Sequence, residues 1–228
     1  MRALLLAAGI GTRLRPFTNT IPKCLVTIKG QPLLGIWLDR LSKAGIGPIL
    51  INTHYLAKQV ADYIESMPNR GEVSLVYEKD LRGTAGTLIS NLKFFQDMDG
   101  LLIHADNYCL ADFAAFQQAH ANRPPECLIT MMTFQTNDPS SCGIVELDDR
   151  RVVVGFHEKV SNPPGNLANG AIYILSKEFF EILAEKFSDV TDFSRDVLPQ
   201  IVGRIYSYET KDTFIDIGTP SAYQRCQE

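Results

Sequence analysis

The sequence predicts an α/β protein with a Rossmann-like central sheet, mixed but mostly parallel, flanked by helices. Three observations predict it. Short apolar runs of strand length alternate with stretches of helical periodicity over the first 135 residues, and alternation of that kind builds right-handed βαβ units. The first of these runs is continuously apolar rather than alternating, as strands buried on both faces are. The chain has 228 residues, 45% hydrophobic and 21% charged, a soluble globular composition. A chain of this size buries enough surface to fold without a disulfide or metal staple. One domain is expected, residues 1–228, with halves 1–135 and 136–228.

Each element follows in order. Ala3 to Ala7 is a buried strand, and a glycine-containing loop follows it. Leu33, Leu34, Trp37, Leu38 and Leu41 recur at helical spacing and predict a helix ending near Gly45. Ile49 to Ile51 is the second strand; Leu56, Val60, Tyr63 and Ile64 mark the second helix. Val73 to Val76, a helix over Ala85 to Phe95, and a strand over Leu101 to His104 come next. Phe113, Phe116 and Gln117 lie on a helix that ends before Pro124, and Leu128 to Thr133 is the fifth strand. The pattern then changes. Gly143 to Leu147 and Val152 to Phe156 flank Asp148-Asp149-Arg150, a hairpin signal. Asn169 to Leu175 is a strand, Lys177 to Lys186 and Phe193 to Val202 are helices, and Ile205 to Tyr208 and Thr213 to Ile217 are short closing strands. No repeat, low-complexity tract or linker interrupts the chain.

Charge and cysteines narrow the function. A net charge of −4 argues against a nonspecific binder of nucleic acid or anionic membrane, though a few cations and backbone N–H groups suffice to hold a phosphate. The N-terminal apolar run is about eight residues, against the ~20 needed to span a bilayer. Arg2 before apolar residues imitates a signal peptide, but Gly-Ile-Gly-Thr-Arg-Leu-Arg follows at once. The five cysteines, Cys24, Cys109, Cys127, Cys142 and Cys226, are scattered and form no CxxC pair, so reduced thiols and a cytoplasmic location are expected. The four histidines make no HExxH or triad pattern and receive no chemical role. His104 reads as a core residue or a neighbour of Asp106. No GxSxG supports a hydrolase.

The loop after the first strand reads Ala7-Ala8-Gly9-Ile10-Gly11-Thr12-Arg13-Leu14-Arg15-Pro16. It falls at the carboxyl edge of the sheet, where α/β proteins bind ligands. Glycines there let backbone N–H groups reach phosphate oxygens. A Walker A loop would need Gly-Lys-Ser/Thr, which is missing. A dinucleotide fingerprint would need a third glycine where Leu14 stands, and an acidic residue about 20 positions on, where Thr27, Ile28 and Lys29 stand. A third reading sets Arg13 and Lys23 beside the glycines as cations for a triphosphate. A tight turn with a solvent-exposed Arg is the alternative that the loop alone leaves open.

Beyond the loop the motifs continue. Leu6 to Leu14 with Pro16, Thr18, Pro22-Lys23 and Gly30-Gln31-Pro32-Leu33-Leu34 resembles the signature of sugar-1-phosphate nucleotidyltransferases. Glu78 with Gly83-Thr84-Ala85-Gly86 resembles the family's base-reading segment, and Asp106-Asn107 its first metal-binding aspartate. Gly143-Ile144-Val145-Glu146, Phe156-His157-Glu158-Lys159 and Asn166 to Tyr173 resemble its sugar-binding half; Phe214 to Pro220 resembles the segment with its second metal aspartate. The resemblance covers nearly the whole chain, in the family's order, and within it is closest to short mannose-1-phosphate guanylyltransferase-like members.

That resemblance implies the nucleotide-diphospho-sugar transferase fold and a Mg²⁺-dependent transfer of a nucleoside monophosphate from an NTP to a sugar 1-phosphate. By the same carry-over, Ala7, Ala8, Gly9, Gly11, Thr12, Arg13, Lys23, Glu78, Gly83, Thr84 and Asp106 bind the nucleotide. Arg13, Lys23 and Asp106 are catalytic, and Asp106 and Asp216 hold the metal. Asn107, Gly143, Glu158, Lys159, Asn169 and Gly170 take the sugar phosphate. Alone, Lys23 would read as a loop lysine, either aspartate as a helix cap or turn residue, Glu78 equally as an exposed strand end, and Glu158-Lys159 as a surface pair. GTP with mannose 1-phosphate or a related manno-configured sugar 1-phosphate is the first expectation. UTP or dTTP with a hexose 1-phosphate, a phosphocholine cytidylyltransferase, and a noncatalytic nucleotide-sugar sensor are the alternatives. The partners are these two substrates, with a homodimer as the assembly and neither nucleic acid nor membrane. Two positions depart from the family: Cys24 follows Pro22-Lys23, and Arg82 precedes the glycine segment where guanylyltransferase members usually carry leucine. The C-terminal β-helix of many relatives is expected to be absent, since the chain stops soon after Tyr223.

Overall fold

The computed structural model describes residues 1–68 and 71–228. In chain order its elements are β1 (Arg2–Leu6), β2 (Thr27–Ile28), β3 (Gln31–Pro32), α1 (Leu33–Lys43), β4 (Ile49–Thr53), α2 (Ala57–Ser66), β5 (Val73–Tyr77), α3 (Gly83–Ser90) and β6 (Gly100–His104). They continue with β7 (Asn107–Cys109), α4 (Phe113–Ala121), β8 (Ile129–Gln135), β9 (Gly143–Leu147), β10 (Val153–Glu158), β11 (Leu167–Leu175), α5 (Lys177–Lys186), β12 (Ile205–Glu209), β13 (Phe214–Asp216) and α6 (Pro220–Arg225). The architecture is mixed α/β, a central sheet with flanking helices. The chain forms two compact units, each discontinuous in sequence: Met1–Leu81 with Ile103–Ala111 and Asp212–Glu228, and Arg82–Leu102 with Asp112–Lys211.

In the first unit β1 runs parallel to β4 and β4 parallel to β5, with Leu5 opposite Ile51 and Ile51 opposite Leu75. All five residues of β4 are buried, the apolar Ile49 to Ile51 as expected for a strand covered on both faces and the polar Asn52 and Thr53 with them. The helical stripe on α1 (Leu33, Leu34, Trp37, Leu38, Leu41) is buried too, each large side chain contributing about 1.5–3 kcal/mol. The short ribbon of β2 and β3 turns through Lys29 and Gly30, with φ 48° and 84°. Positive φ at both central residues is the twist a two-residue hairpin needs. The sequence reading passed over this ribbon, and over β7.

In the second unit β8 pairs antiparallel with β11 and parallel with β12. β9 and β10 form the hairpin read from the sequence, closed by Asp148, whose Oδ1 accepts from the N–H groups of Arg150 and Val152. Phe116, Tyr173, Phe179 and Phe193 fill the core.

Two expected helices come out differently. The helix expected over Ala85 to Phe95 is α3 to Ser90, then a separate 3-10 turn at Leu92–Phe95. The Ser90 hydroxyl donates to the Gly86 carbonyl and the Asn91 amide to that of Thr87, side-chain bonds that compete with the helical ladder. The segment from Phe193 is a π-helical turn to Val197 and a 3-10 turn over Leu198–Ile201. Pro199 has no N–H for a regular helix at that point.

Candidate active site

In the first unit the glycine loop leaves β1 and bends back through three 3-10 turns, Thr12–Leu14, Phe17–Asn19 and Lys23–Leu25. Gly11 sits at φ 69°, and a Cβ there would lie 2.9 Å from Thr18 Cγ2 and 3.2 Å from Lys23 Cβ. Only glycine meets both demands. The Thr18 hydroxyl donates to the Gly11 carbonyl at 2.6 Å and fixes the bend. Gly9, Thr12 and Arg13 are exposed, whereas Ala7 and Ala8 are buried.

Lys23 is not a solvated loop lysine; it is only 6% exposed. Its Nζ donates to Asp106 Oδ2 at 2.8 Å and lies 3.9 Å from Asp216 Oδ1. Asp106 follows β6 in a turn, and β7 begins at the next residue. β7 pairs antiparallel with β13, setting Asp216 opposite Asn107. A three-residue ribbon thus brings together two carboxylates far apart in sequence. Burial opposes the charge of Asp106, but the Lys23 ammonium, His104 and hydrogen bonds outweigh it and hold its carboxyl below the usual range. A Cβ on Gly218 would lie 3.2 Å from both Arg13 Nη2 and Asp216 Oδ1, so its absence leaves room for the guanidinium beside that carboxylate. The cap of α6 is Thr219, whose hydroxyl accepts from Ala222 N–H, which leaves Asp216 outside the capping role.

Glu78, 4% exposed, is no exposed strand end. Its N–H donates to the Thr53 carbonyl at 2.8 Å, and its Oε1 accepts from Asn52 Nδ2 at 3.2 Å. The Oδ1 of Asn52 accepts from Ala7 N–H at 2.7 Å, which ties the start of the glycine loop to Glu78. Cys24 is buried, and burial pushes its thiol up to about 12; beside Lys23 it is a packing residue.

In the second unit Gly83, at φ 76°, lies so close to Thr191 that a Cβ would stand 2.3 Å from its carbonyl oxygen. Ala85 N–H donates to that carbonyl, and the Thr84 hydroxyl accepts from Phe193 N–H at 2.8 Å. The glycine segment is therefore fastened to the π-helical turn, and Thr84 serves that fastening. Glu158 ends β10 directly opposite Gly143 on β9. A Cβ on Gly143 would come within 2.6 Å of Glu158 Oε2, so the glycine makes space for the carboxylate. Lys159, at φ 51°, turns its Nζ to 3.6 Å from Glu158 Oε1. On β11, Ala168 pairs with Ile144 of β9, which brings Asn169 alongside the hairpin. Asn169 donates to the Tyr173 hydroxyl at 2.7 Å and accepts from Ala171 N–H at 2.9 Å. Among the described residues no group of three or more His, Cys, Asp or Glu could hold a metal, and no helix is long and apolar enough to cross a membrane.

A family model described as nucleotidyl transferase matches residues 2–228. The chain belongs to the nucleotidyl transferase family. It is 30% identical over 227 residues to a putative mannose-1-phosphate guanyltransferase of Sulfolobus acidocaldarius, covering 98% of this chain and 61% of that protein. It is also 30% identical over 225 residues to the D-glycero-alpha-D-manno-heptose 1-phosphate guanylyltransferase of Campylobacter jejuni, covering 98% and 97%. The chain therefore spans less than two thirds of the first relative and nearly all of the second. Among solved structures, HddC from Yersinia pseudotuberculosis complexed with GMP-PN matches with a TM-score of 0.82 at 28% identity, over 99% of this chain and 97% of that one. Membership gives the general class of reaction, the transfer of a nucleotidyl group.

For this nucleotidyltransferase the sequence reading named the charged residues but missed the ones that hold them. Asn52 was legible as a lone amide ending an apolar strand. Thr18 and Gly218 stand out in the sequence only as members of longer motifs.

Proposed function

We propose that this chain is a Mg²⁺-dependent guanylyltransferase that joins GTP to a manno-configured sugar 1-phosphate. The observation that carries the reading is the cation–carboxylate knot of the first unit, in which Lys23 draws Asp106 and Asp216 together beside a glycine loop. An all-oxygen pair of carboxylates fits Mg²⁺, which takes one or two carboxylates from the protein and completes its shell with water and phosphate oxygens. When bound, the ion would neutralise phosphate charge and orient the oxygens around phosphorus.

The chain's own residues supply the rest. The nucleophile is a phosphate oxygen, already an anion, so no strong base is needed; positioning and charge carry the catalysis. The loop of Gly9, Gly11 and Thr12 offers backbone donors to the triphosphate. Arg13 balances the charge of the departing pyrophosphate. Lys23 keeps the two carboxylates gathered and holds phosphate oxygens. The buried carboxylate of Glu78 accepts from guanine N1–H and N2–H₂, a pairing that cytosine and adenine do not offer. Glu158 accepts from sugar hydroxyls, Lys159 holds the sugar's phosphate, and Asn169 and Gly170 line the same site. Both relatives at 30% identity are named as guanylyl-transferring enzymes of manno sugars. The one matched end to end is named for a manno-heptose 1-phosphate, which makes that acceptor the first to try.

Pyrophosphate release with Mg²⁺ tests the reading, crossing the common NTPs with mannose, glucose and manno-heptose 1-phosphates and phosphocholine. GTP with a manno sugar is the expected pair. Turnover with UTP or dTTP and glucose 1-phosphate, and none with GTP, would overturn the specificity.

A further inference from the structure

The ribbon of β7 and β13 is three residues on each strand, and a two-stranded ribbon is marginal by itself. Carboxylates that share a metal must nonetheless be held to within about 0.5 Å. The structure shows what steadies it. Trp37 on α1 is 1% exposed, and its indole N–H donates to the Asn107 carbonyl at 3.0 Å. One turn further along α1, Arg40 Nη2 donates to the carbonyls of Leu110 and Ala111, each at 2.6 Å. Residues three apart lie on one helix face, so a single face of α1 grips β7 at its first residue and just past its last. Leu110 N–H in turn donates to the Thr213 carbonyl at 2.9 Å, passing that grip to β13. Asp106 and Asp216 stand at one end of the ribbon, with Lys23 between them.

We propose that Trp37 and Arg40 are positioning residues that set the aim and separation of Asp106 and Asp216. The inference rests on the reading of those aspartates as the metal pair. Trp37→Phe keeps an aromatic ring in the core, removes the indole N–H and also removes some buried volume. Arg40→Met removes the donors at the other end, and Arg40→Lys keeps one. The probe is Mn²⁺ alone, with free ion counted by electron paramagnetic resonance, and thermal unfolding is followed in parallel.

The wild-type protein is expected to bind Mn²⁺ and Asp106→Asn to lose that binding. Trp37→Phe and Arg40→Met should each bind about tenfold more weakly, the scale of one lost buried hydrogen bond, and Arg40→Lys should recover part of the loss. Their apparent Mg²⁺ requirement for turnover should rise by a similar factor, while KM for the NTP at saturating Mg²⁺ stays unchanged. A purely structural role would lower the melting temperature without moving Mn²⁺ affinity. Wild-type Mn²⁺ affinity in both variants overturns the positioning role and leaves the metal pair standing. No Mn²⁺ binding by the wild-type protein overturns the metal pair, and the positioning role with it. Should Trp37→Phe fail to fold, the half-buried Arg40 decides through its own two variants.

Discussion

Asp106 and Glu158 are both carboxylates at strand ends, one in each unit, and they are held in opposite ways. Asp106 is held by charge: a buried ammonium from 83 positions earlier reaches it at 2.8 Å, and that contact helps keep it ionised. Glu158 is held by shape: strand register sets it opposite Gly143, and the missing Cβ gives it room. The cation beside it, Lys159, is its own neighbour in sequence, at 3.6 Å. The difference matches the two tasks proposed for them. A group that manages developing charge is best placed by other charges fixed in advance. A group that recognises hydroxyls needs a defined position and a free lone pair.

The largest expected effect comes from breaking the charge-held side. Asp106→Asn keeps the volume and removes the charge that Lys23 answers and that the proposed Mg²⁺ would answer. Turnover should fall by about a thousandfold or more, because several kcal/mol of charge stabilisation depend on the site. Circular dichroism and thermal unfolding would check that the variant still folds. Near wild-type pyrophosphate release would remove Asp106 from the chemistry.

The shape-held side breaks differently. Gly143→Ala would place a methyl 2.6 Å from Glu158 Oε2 and 2.9 Å from Phe156 Cζ, and the carboxylate would have to move. KM for the sugar phosphate should rise about tenfold, one misplaced hydrogen bond's worth, with KM for the NTP unchanged. Steady-state kinetics varying each substrate in turn would show it. Equal rises in both constants would mean that Glu158 does not serve the acceptor.

These contrasts mark what was legible in the sequence. β1, β4, β6 and α1 were readable because each buries one continuous run or stripe. Gly11, Arg13, Lys23 and both aspartates were readable as residue types in a familiar order. Their supports were not, because they depend on tertiary approach. Nothing local says that Trp37 donates to Asn107, that Thr18 braces Gly11, or that Thr84 spends its hydroxyl on Phe193. The irregular turn after Asp192 was read as a plain helix because apolar spacing records which residues are buried and is blind to Pro199 and to the Asp192 cap.

A smaller effect should follow from Asn52, which joins the glycine loop to Glu78. Asn52→Leu leaves Ala7 N–H without the acceptor that Asn52 Oδ1 provides and removes the amide that donates to Glu78. The expected loss of stability is about 1–3 kcal/mol, read from urea unfolding. Should the loss exceed that without any change in KM for the NTP, the link would be a matter of folding and not of base recognition.

The smallest effect lies away from both carboxylates and shows how pH acts on a polar group held by burial. His120, 3% exposed, has Nδ1 2.7 Å from Thr130 Oγ1 and Nε2 3.4 Å from Asp99 Oδ2. Burial outweighs the pull of Asp99 and holds the imidazole below its ordinary value, while the bond to His120 holds Asp99 low as well. The folded protein therefore binds fewer protons at His120 than the unfolded chain as pH falls through about 6.5. The stability tied to the neutral ring is complete above that pH and drains away as pH drops toward the folded value. His120→Gln keeps a polar group that can bond both neighbours and does not titrate. Between pH 7.5 and 5.5 the variant should lose less unfolding free energy than the wild type, by no more than about 1 kcal/mol. A wild type that loses less than the variant would mean that the ring is protonated in the folded protein with Asp99 as its counter-ion, and that charge rather than burial governs this site as it does Asp106.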